Sequence, residues 1–124
     1  LKVILKTHHI HLPGNFEDPM SQTILEILQS GEKEKNIFVT ECSSFMLYPT
    51  KQFHFNVGVW TNFATDHLNW HPNMDEYFTA KQRMISLSTH TYTSVDIFKK
   101  LTHDLQGKTE IYPTTYDLHN THFV

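Results

Sequence analysis

The sequence has a single cysteine, Cys42, among its 124 residues. One cysteine cannot form an intramolecular disulfide, and this usage is typical of a reducing compartment, so we expect a cytoplasmic protein. No apolar run approaches the roughly 20 residues of a membrane-spanning helix, so the sequence predicts no membrane span. The ten Lys and Arg residues are scattered and outnumbered by 13 Asp and Glu residues, which argues against binding to nucleic acid.

Glycine is also scarce, with only Gly14, Gly31, Gly58 and Gly107 in the chain. None of them belongs to a G-x-x-x-x-G-K-[ST] loop, whose backbone amides cradle nucleotide phosphates. A protein that used ATP through such a loop would need it outside this segment. Because the chain starts at Leu1 and at once resembles a strand, we expect a part of a longer protein, amounting to at most one domain.

Caps, breakers and apolar periodicity predict alternating strands and helices. The longer helices run from Asp18-Pro19 to Ser30-Gly31, from the Asn73 cap past Ile85, and from the Ser94 cap through Leu105 to Gly107. The strands cover residues 2–5 and 8–11, 36–40, 57–61 and 109–112, with one more expected between the helices that Asn73 and Ser94 cap. With a short helix after residue 43, this order predicts an α/β fold formed by residues 1–124. We expect a three-layer, mostly parallel sheet with helices on both faces.

The densest polar cluster follows the central strand, in the loop that carries Asn62, Asp66, His67 and His71. Polar groups at the carboxyl ends of strands are where open α/β sheets bind ligands. His67 and His71 are four residues apart, a spacing that on a helix could suit zinc, but no third ligand of the H-E-x-x-H type is nearby. Glu41 follows the preceding strand, where a carboxylate could hold Mg²⁺ or serve only as a surface charge.

Lys81 interrupts the apolar stripe of the helix that Asn73 caps. Its stem could cover apolar surface while the ammonium reaches water. Alternatively, burial could disfavour the charged form and leave a neutral, reactive amine. Both hypotheses are compatible with the helix alone.

Three histidines, His8, His9 and His11, crowd the end of the first strand. Strand alternation places His9 and His11 on one face and His8 on the other, so a shared metal is disfavoured. Exposed histidines at a strand end are the simpler interpretation.

Three motifs resemble the central domain of the Mur ligases, the ATP-dependent family that builds the peptidoglycan stem peptide. They are E-C-S-S-F-M-L from Glu41, T-N-F-A-T-D-H-L-N-W-H from Thr61, and Y-F-T-A-K-Q-R from Tyr77. The first is similar to the segment of those members that add D-glutamate. Met46 stands where they commonly carry Gln, Asn69 where relatives commonly carry Asp, and Pro13 replaces the first Gly of a G-G-N segment.

The resemblance implies specific roles for individual residues. Glu41, His67 and a carbamylated Lys81 would bind Mg²⁺, with Lys81 and His67 as the catalytic residues. The side chains expected near the muramoyl substrate are Asn15, Ser43 and Ser44, and those expected to support the site are Asn62 and Asp66. Tyr77 also matches a family position, although its residue type is equally typical of a packed core.

The function implied is the ATP-dependent joining of D-glutamate to UDP-N-acetylmuramoyl-L-alanine through an acyl phosphate. In the family, the phosphate loop precedes this segment and the domain for the incoming amino acid follows it, so the segment alone should be inactive. Two alternatives remain: a related ligase that adds another amino acid or acts on folate, and a non-catalytic α/β binding module. The E-C-S-S-F segment favours the D-glutamate reaction over the first alternative. The joint presence of Glu41, His67 and Lys81 argues against the second.

Overall fold

A computed structural model describes residues 8–14, 19–31 and 35–112. The strands are β1 (His9–His11), β2 (Asn36–Phe38), β3 (Phe55–Trp60), β4 (Ser88–Thr93) and β5 (Thr109–Ile111). The helices are α1 (Met20–Ser30), α2 (Ser44–Leu47), α3 (Met74–Ser86), α4 (Val95–Phe98) and α5 (His103–Gln106). The chain divides into an N-terminal unit, Leu1–Ser43, and a C-terminal unit, Ser44–Val124. Within the described ranges, no helix has the length and apolar character needed to cross a membrane.

The N-terminal unit is a β1-α1-β2 arrangement in which the two strands pair in parallel, with Ile10 opposite Ile37. Beyond the strands, Gly14 and Glu41 form a further parallel bridge. A Cβ on Gly14 would lie 3.0 Å from both the backbone N and the backbone O of Glu41. Glycine is therefore required there because the two backbones approach each other closely.

The helix α1 ends as predicted, at Gly31, which adopts the left-handed conformation (φ 67°) typical of a helix C-cap. Its N-cap is Pro19, and the predicted cap Asp18 lies outside the described residues. Three apolar side chains of the helix are exposed: Ile24, Leu25 and, most of all, Leu28. β2 is shorter than predicted, although the Val39 N–H still donates to the His11 carbonyl, 2.9 Å away.

The C-terminal unit contains a parallel three-stranded sheet in the order β3-β4-β5. α3 connects β3 to β4, and α4 and α5 connect β4 to β5, which is the crossover connection that parallel strands need. Its buried core joins strand and helix residues that lie far apart in the sequence: Trp60, Ile85, Ile97 and Leu101, with Phe63, Phe78, Met84 and Leu105 packed against them.

The central strand is buried on one face only. Trp60 and Gly58 are buried, whereas Val57 and Val59 are 54% and 53% exposed. Side chains alternate between the two faces of a strand, so Gly58 and Trp60 lie on one face and Val57 and Val59 on the other. The helix α3 packs only against the face of Gly58 and Trp60. Side chains approach Gly58 closely, since a Cβ there would clash with Ser88 Oγ and lie 3.1 Å from Met84 Sδ.

The single helix predicted after Ser94 is two short helices, α4 and α5. The chain leaves the helical path at Thr102, which is extended (φ −64°, ψ 157°) and precedes α5. The Gln106 side-chain amide donates to the carbonyls of Phe98 (3.0 Å) and Leu101 (3.2 Å). These bonds satisfy carbonyls that a continuous helix would have paired internally, so the break is stable. The α/β class, the parallel strand pairing and the remaining order of elements are confirmed.

Candidate functional site

The loop after β3 presents His67 in a strained backbone conformation. His67 has φ 56°, a left-handed value that a residue with a Cβ adopts rarely. Asp66 Oδ1 accepts a hydrogen bond from the His67 N–H at 2.7 Å, and the His67 carbonyl accepts from the N–H groups of Trp70 (3.0 Å) and His71 (2.9 Å). These three bonds hold His67 at the tip of a tight turn, so its orientation is set by the loop itself.

The helix α3 follows this loop and begins as predicted. The Asn73 Oδ1 atom accepts a hydrogen bond from the Glu76 N–H at 2.9 Å, which satisfies one of the free amides of the first turn. Tyr77 and Lys81 are four residues apart and therefore lie on the same face of the helix. The Lys81 Nζ atom is 5.7 Å from the centroid of the Tyr77 ring, and Lys81 is half-buried.

Tyr77 is the centre of this region of the C-terminal unit. Its side chain is only 3% exposed, and the His67 ring meets it edge-on with the centroids 5.4 Å apart. Burial, and then the nearby charge of Asp66, raises the pKa of the Tyr77 phenol. The ring is thus a neutral platform that contacts both predicted catalytic residues, His67 and Lys81.

A second histidine, His71 of the same loop, also contacts Tyr77. The His71 ring stacks on Tyr77, with the centroids 5.2 Å apart and the planes at 30°. A hydrogen bond of 2.8 Å joins His71 Nε2 and Ser44 Oγ, and both residues are buried, at 2% and 1% exposure. The sequence singled out His71 only as a possible zinc ligand. His71 ends the motif that starts at Thr61, whereas Ser44 lies 27 residues earlier in a different motif, so the sequence carried no signal that pairs them.

The other predicted site residues have separate surroundings. Asn15 lies outside the described residues. In the N-terminal unit, Glu41 is exposed and its backbone pairs with Gly14, while burial and the Glu41 charge together raise the pKa of the Cys42 thiol. The Ser43 hydroxyl is buried and has no hydrogen-bond partner among the described residues. In the C-terminal unit, the exposed Asn62 contributes its backbone carbonyl, which accepts from Trp60 Nε1 at 2.8 Å.

The histidines considered as zinc ligands have protein partners. His11 Nε2 is 2.7 Å from Asn36 Oδ1, and its ring stacks on Phe38. His67 and His71 contact the Tyr77 ring from a loop and not from one face of a helix. Across residues 8–14, 19–31 and 35–112, no three His, Cys, Asp or Glu side chains are grouped closely enough to hold a metal ion.

Comparison with known proteins identifies the family. Residues 4–121 match the family model of the Mur ligase middle domain. A curated relative, the UDP-N-acetylmuramoylalanine–D-glutamate ligase of Fervidobacterium nodosum, is 43% identical over 79 residues, which is 64% of this chain and 18% of the relative. The ligase of the same name from Hydrogenobaculum sp. is 37% identical over 76 residues, or 61% of this chain and 17% of the relative.

A third ligase of that name, from Prochlorococcus marinus, is 31% identical over 99 residues, or 77% of this chain and 21% of the relative. The chain thus spans about a fifth of the length of these curated relatives. No solved structure matches it. Because the family model covers nearly all of the chain, the chain belongs to the Mur ligase family through the middle domain of these enzymes.

Proposed function

We propose that this chain is part of the central domain of an ATP-dependent ligase that joins D-glutamate to UDP-N-acetylmuramoyl-L-alanine in the cytoplasm, as a step of peptidoglycan synthesis. The observation that carries the proposal is the position of His67 and Lys81 on the single buried ring of Tyr77. The family resemblance marks these two residues as catalytic. They are 14 positions apart in the sequence, and both contact the same ring. The names of the relatives favour D-glutamate as the amino acid added.

The reaction would proceed in two steps. A carboxylate oxygen of UDP-N-acetylmuramoyl-L-alanine attacks the γ-phosphorus of ATP, and ADP leaves, which gives an acyl phosphate. The amine of D-glutamate then attacks the carbonyl carbon, the bond to the phosphate oxygen breaks, and the nitrogen loses a proton as the amide forms. The first step depends chiefly on positioning and on neutralising the charge of the transferring phosphoryl group.

Lys81 would contribute as a carbamate. Its neutral amine attacks the carbon of CO2, a C–N bond forms, and the nitrogen loses a proton to leave an anionic group with two oxygens. The half-buried position of Lys81 on the Tyr77 ring, partly withdrawn from water, supports this proposal. The aromatic face of Tyr77 fixes where the modified nitrogen lies.

The donor set matches a hard divalent cation. Glu41 and the carbamate of Lys81 would supply oxygen ligands and His67 an imidazole nitrogen, with phosphate oxygens of the substrate completing the shell of Mg²⁺. When bound, Mg²⁺ would supply electrostatic stabilisation of the phosphoryl group. The residues of this chain would hold and orient the ion, and Asp66 holds His67 in place through the backbone N–H.

The direct test uses the complete protein that contains this segment. Phosphate release is measured with ATP, UDP-N-acetylmuramoyl-L-alanine and one amino acid at a time. We expect release that depends on D-glutamate and on Mg²⁺. Release with a different amino acid would assign the chain to another ligase of the family, and no ATP-dependent release with any of them would support a non-catalytic module.

The carbamate role has its own test. In the complete protein, Lys81→Ala should abolish ligation, and a short carboxylate such as formate in the buffer should restore part of it. Lys99→Ala removes an exposed lysine of the same unit and should have no effect. Undiminished activity of Lys81→Ala would refute the role of the carbamate.

A further inference from the structure

The buried pair Ser44 and His71 has no role in the chemistry just described. His71 nevertheless contacts Tyr77, the buried ring on which His67 and Lys81 lie. The two residues lie 27 positions apart in the sequence and are joined by a 2.8 Å hydrogen bond. Serine and histidine are seldom both buried to this degree without a defined polar partner, and here each is the partner of the other.

We propose that His71 is a positioning residue for the ligation reaction, anchored by Ser44, and that the Ser44 hydroxyl acts through His71 and not by contact with the substrate. This inference rests on the proposed function. It also separates the two serines of the E-C-S-S-F segment, because Ser44 has a protein partner whereas the neighbouring Ser43 hydroxyl has none among the described residues.

The first step of the argument is burial. With an exposed fraction of 1%, the Ser44 side chain offers no free surface to a nucleotide sugar. Its hydroxyl is instead held against His71 Nε2, so that a substrate contact would require breaking a buried hydrogen bond. Leaving either buried partner unpaired is costly, which opposes such a rearrangement.

The second step is the packing that links the Ser44–His71 pair to Tyr77. The His71 ring stacks on Tyr77 at 5.2 Å, and the Trp70 ring packs against His71 at 4.9 Å. His71 therefore contacts Ser44 and Trp70, and its ring packs on Tyr77. With an exposed fraction of 2%, the His71 ring is closely packed, which limits its freedom to tilt.

The third step connects this packing to the reacting groups. Tyr77 in turn contacts the His67 ring at 5.4 Å and the Lys81 Nζ atom at 5.7 Å. The His71 N–H also donates to the His67 carbonyl at 2.9 Å, so His71 is linked to His67 directly by its backbone and, through Tyr77, by its ring. Residues that orient ligands in this way typically change activity about 10- to 100-fold when they are removed.

The test is a double-mutant cycle in the complete ligase, with kcat and the KM of UDP-N-acetylmuramoyl-L-alanine measured for every variant. His71→Phe keeps an aromatic ring but loses the hydrogen bond, and Ser44→Ala removes the same bond from the other end. We expect each to lower kcat about 10- to 100-fold with little change in KM. The double variant should be no slower than the slower single variant, since both changes break one bond.

Two further variants separate positioning from loss of structure. His71→Gln retains an amide donor that can reach Ser44, and should be faster than His71→Phe if the hydrogen bond matters. Ser88→Ala is the matched control, because it removes a comparable hydroxyl bond of 2.7 Å, to the Met84 carbonyl at the far end of α3. It should lower thermal stability without changing kcat of the folded enzyme.

The outcomes distinguish the alternatives. Ser44→Ala could raise the KM of UDP-N-acetylmuramoyl-L-alanine by the same factor whether residue 71 is His or Phe. That result would mean that Ser44 contacts the substrate, and it would overturn the inference. The inference would also be overturned if the losses in kcat of the two single variants added up in the double variant. The same holds if a smaller folded fraction of each variant fully accounted for its loss in kcat. If the unsubstituted enzyme ligates D-glutamate but no coupling is found, only this inference fails. If it ligates nothing, the proposed function fails and this inference with it.

Discussion

The Nζ atom of Lys81 lies 5.7 Å from the centroid of the Tyr77 ring, one helical turn away on α3. An ammonium over an aromatic face gains about 0.5–2 kcal/mol, depending on how far it is removed from water. The same ring also carries His67, so the position of both side chains depends on one buried aromatic residue. This relationship makes Tyr77 the residue whose removal should affect both stability and activity.

Tyr77→Ala is therefore expected to cost about 3–5 kcal/mol of unfolding free energy, as for other large buried aromatic residues, and to abolish ligation. Tyr77→Phe keeps the ring and should retain most of both. The measurements are urea unfolding and D-glutamate-dependent phosphate release. Equal losses in the two variants would mean that the hydroxyl, and not the ring, is what matters.

The Asn73 cap of α3 gives a second prediction. Asn73→Ala should lower the unfolding free energy by about 1 kcal/mol, because the Glu76 N–H loses its acceptor. Asn73→Asp keeps an acceptor oxygen at the same place and should be nearly neutral. Urea denaturation of both variants checks this, and an equal cost for Asp and Ala would show that the hydrogen bond contributes nothing.

Gly58→Ala should destabilise the C-terminal unit by about 1–3 kcal/mol, since the added Cβ would clash with Ser88 Oγ and crowd Met84. Combining it with Ser88→Ala should recover part of the loss. Gly107→Ala is the control, because its Cβ would lie an ordinary 3.6 Å from the nearest atom, the Asp104 carbonyl oxygen. Thermal unfolding of the three variants measures the effect, and a neutral Gly58→Ala would contradict the close packing of β3 on Ser88 and Met84.

Gln106→Ala should cost about 1 kcal/mol, because the Leu101 carbonyl loses the side-chain donor and the Phe98 carbonyl keeps only the Leu101 N–H. Gln106→Glu should cost at least as much, since an ionised carboxylate can only accept and would face two carbonyl oxygens. The comparison is made by chemical denaturation at neutral pH. A stabilising effect of either change would show that the break between α4 and α5 does not depend on Gln106.

Local features of this protein could be predicted from the sequence because their causes are local. The Gly31 C-cap, the Asn73 N-cap and the strand at the centre of the chain follow from backbone preferences and from neighbours a few residues away. The family motifs also identified His67 and Lys81 as a related pair. Their proposed roles remain predictions until the variants above are measured.

The errors in prediction share a different origin. The periodicity from Ser94 to Leu105 fits one helix, but the side chain of Gln106 stabilises a break within it. Likewise, Val57, Val59 and Trp60 are all apolar, and the sequence cannot show that α3 covers only the face that carries Trp60. In each case, packing between distant segments outweighs the local pattern.

The amino-acid sequence by itself determined the α/β class, the parallel pairing that alternating strands and helices require, and the family to which the chain belongs. Only the tertiary structure decided that Ser44 pairs with His71, and that His71, His67 and Lys81 all meet on Tyr77. The physical reason is the distance along the sequence over which each kind of interaction acts. Helix caps and strand alternation depend on a few consecutive residues, whereas a buried hydrogen bond across 27 residues forms only when the packed core excludes water from both partners.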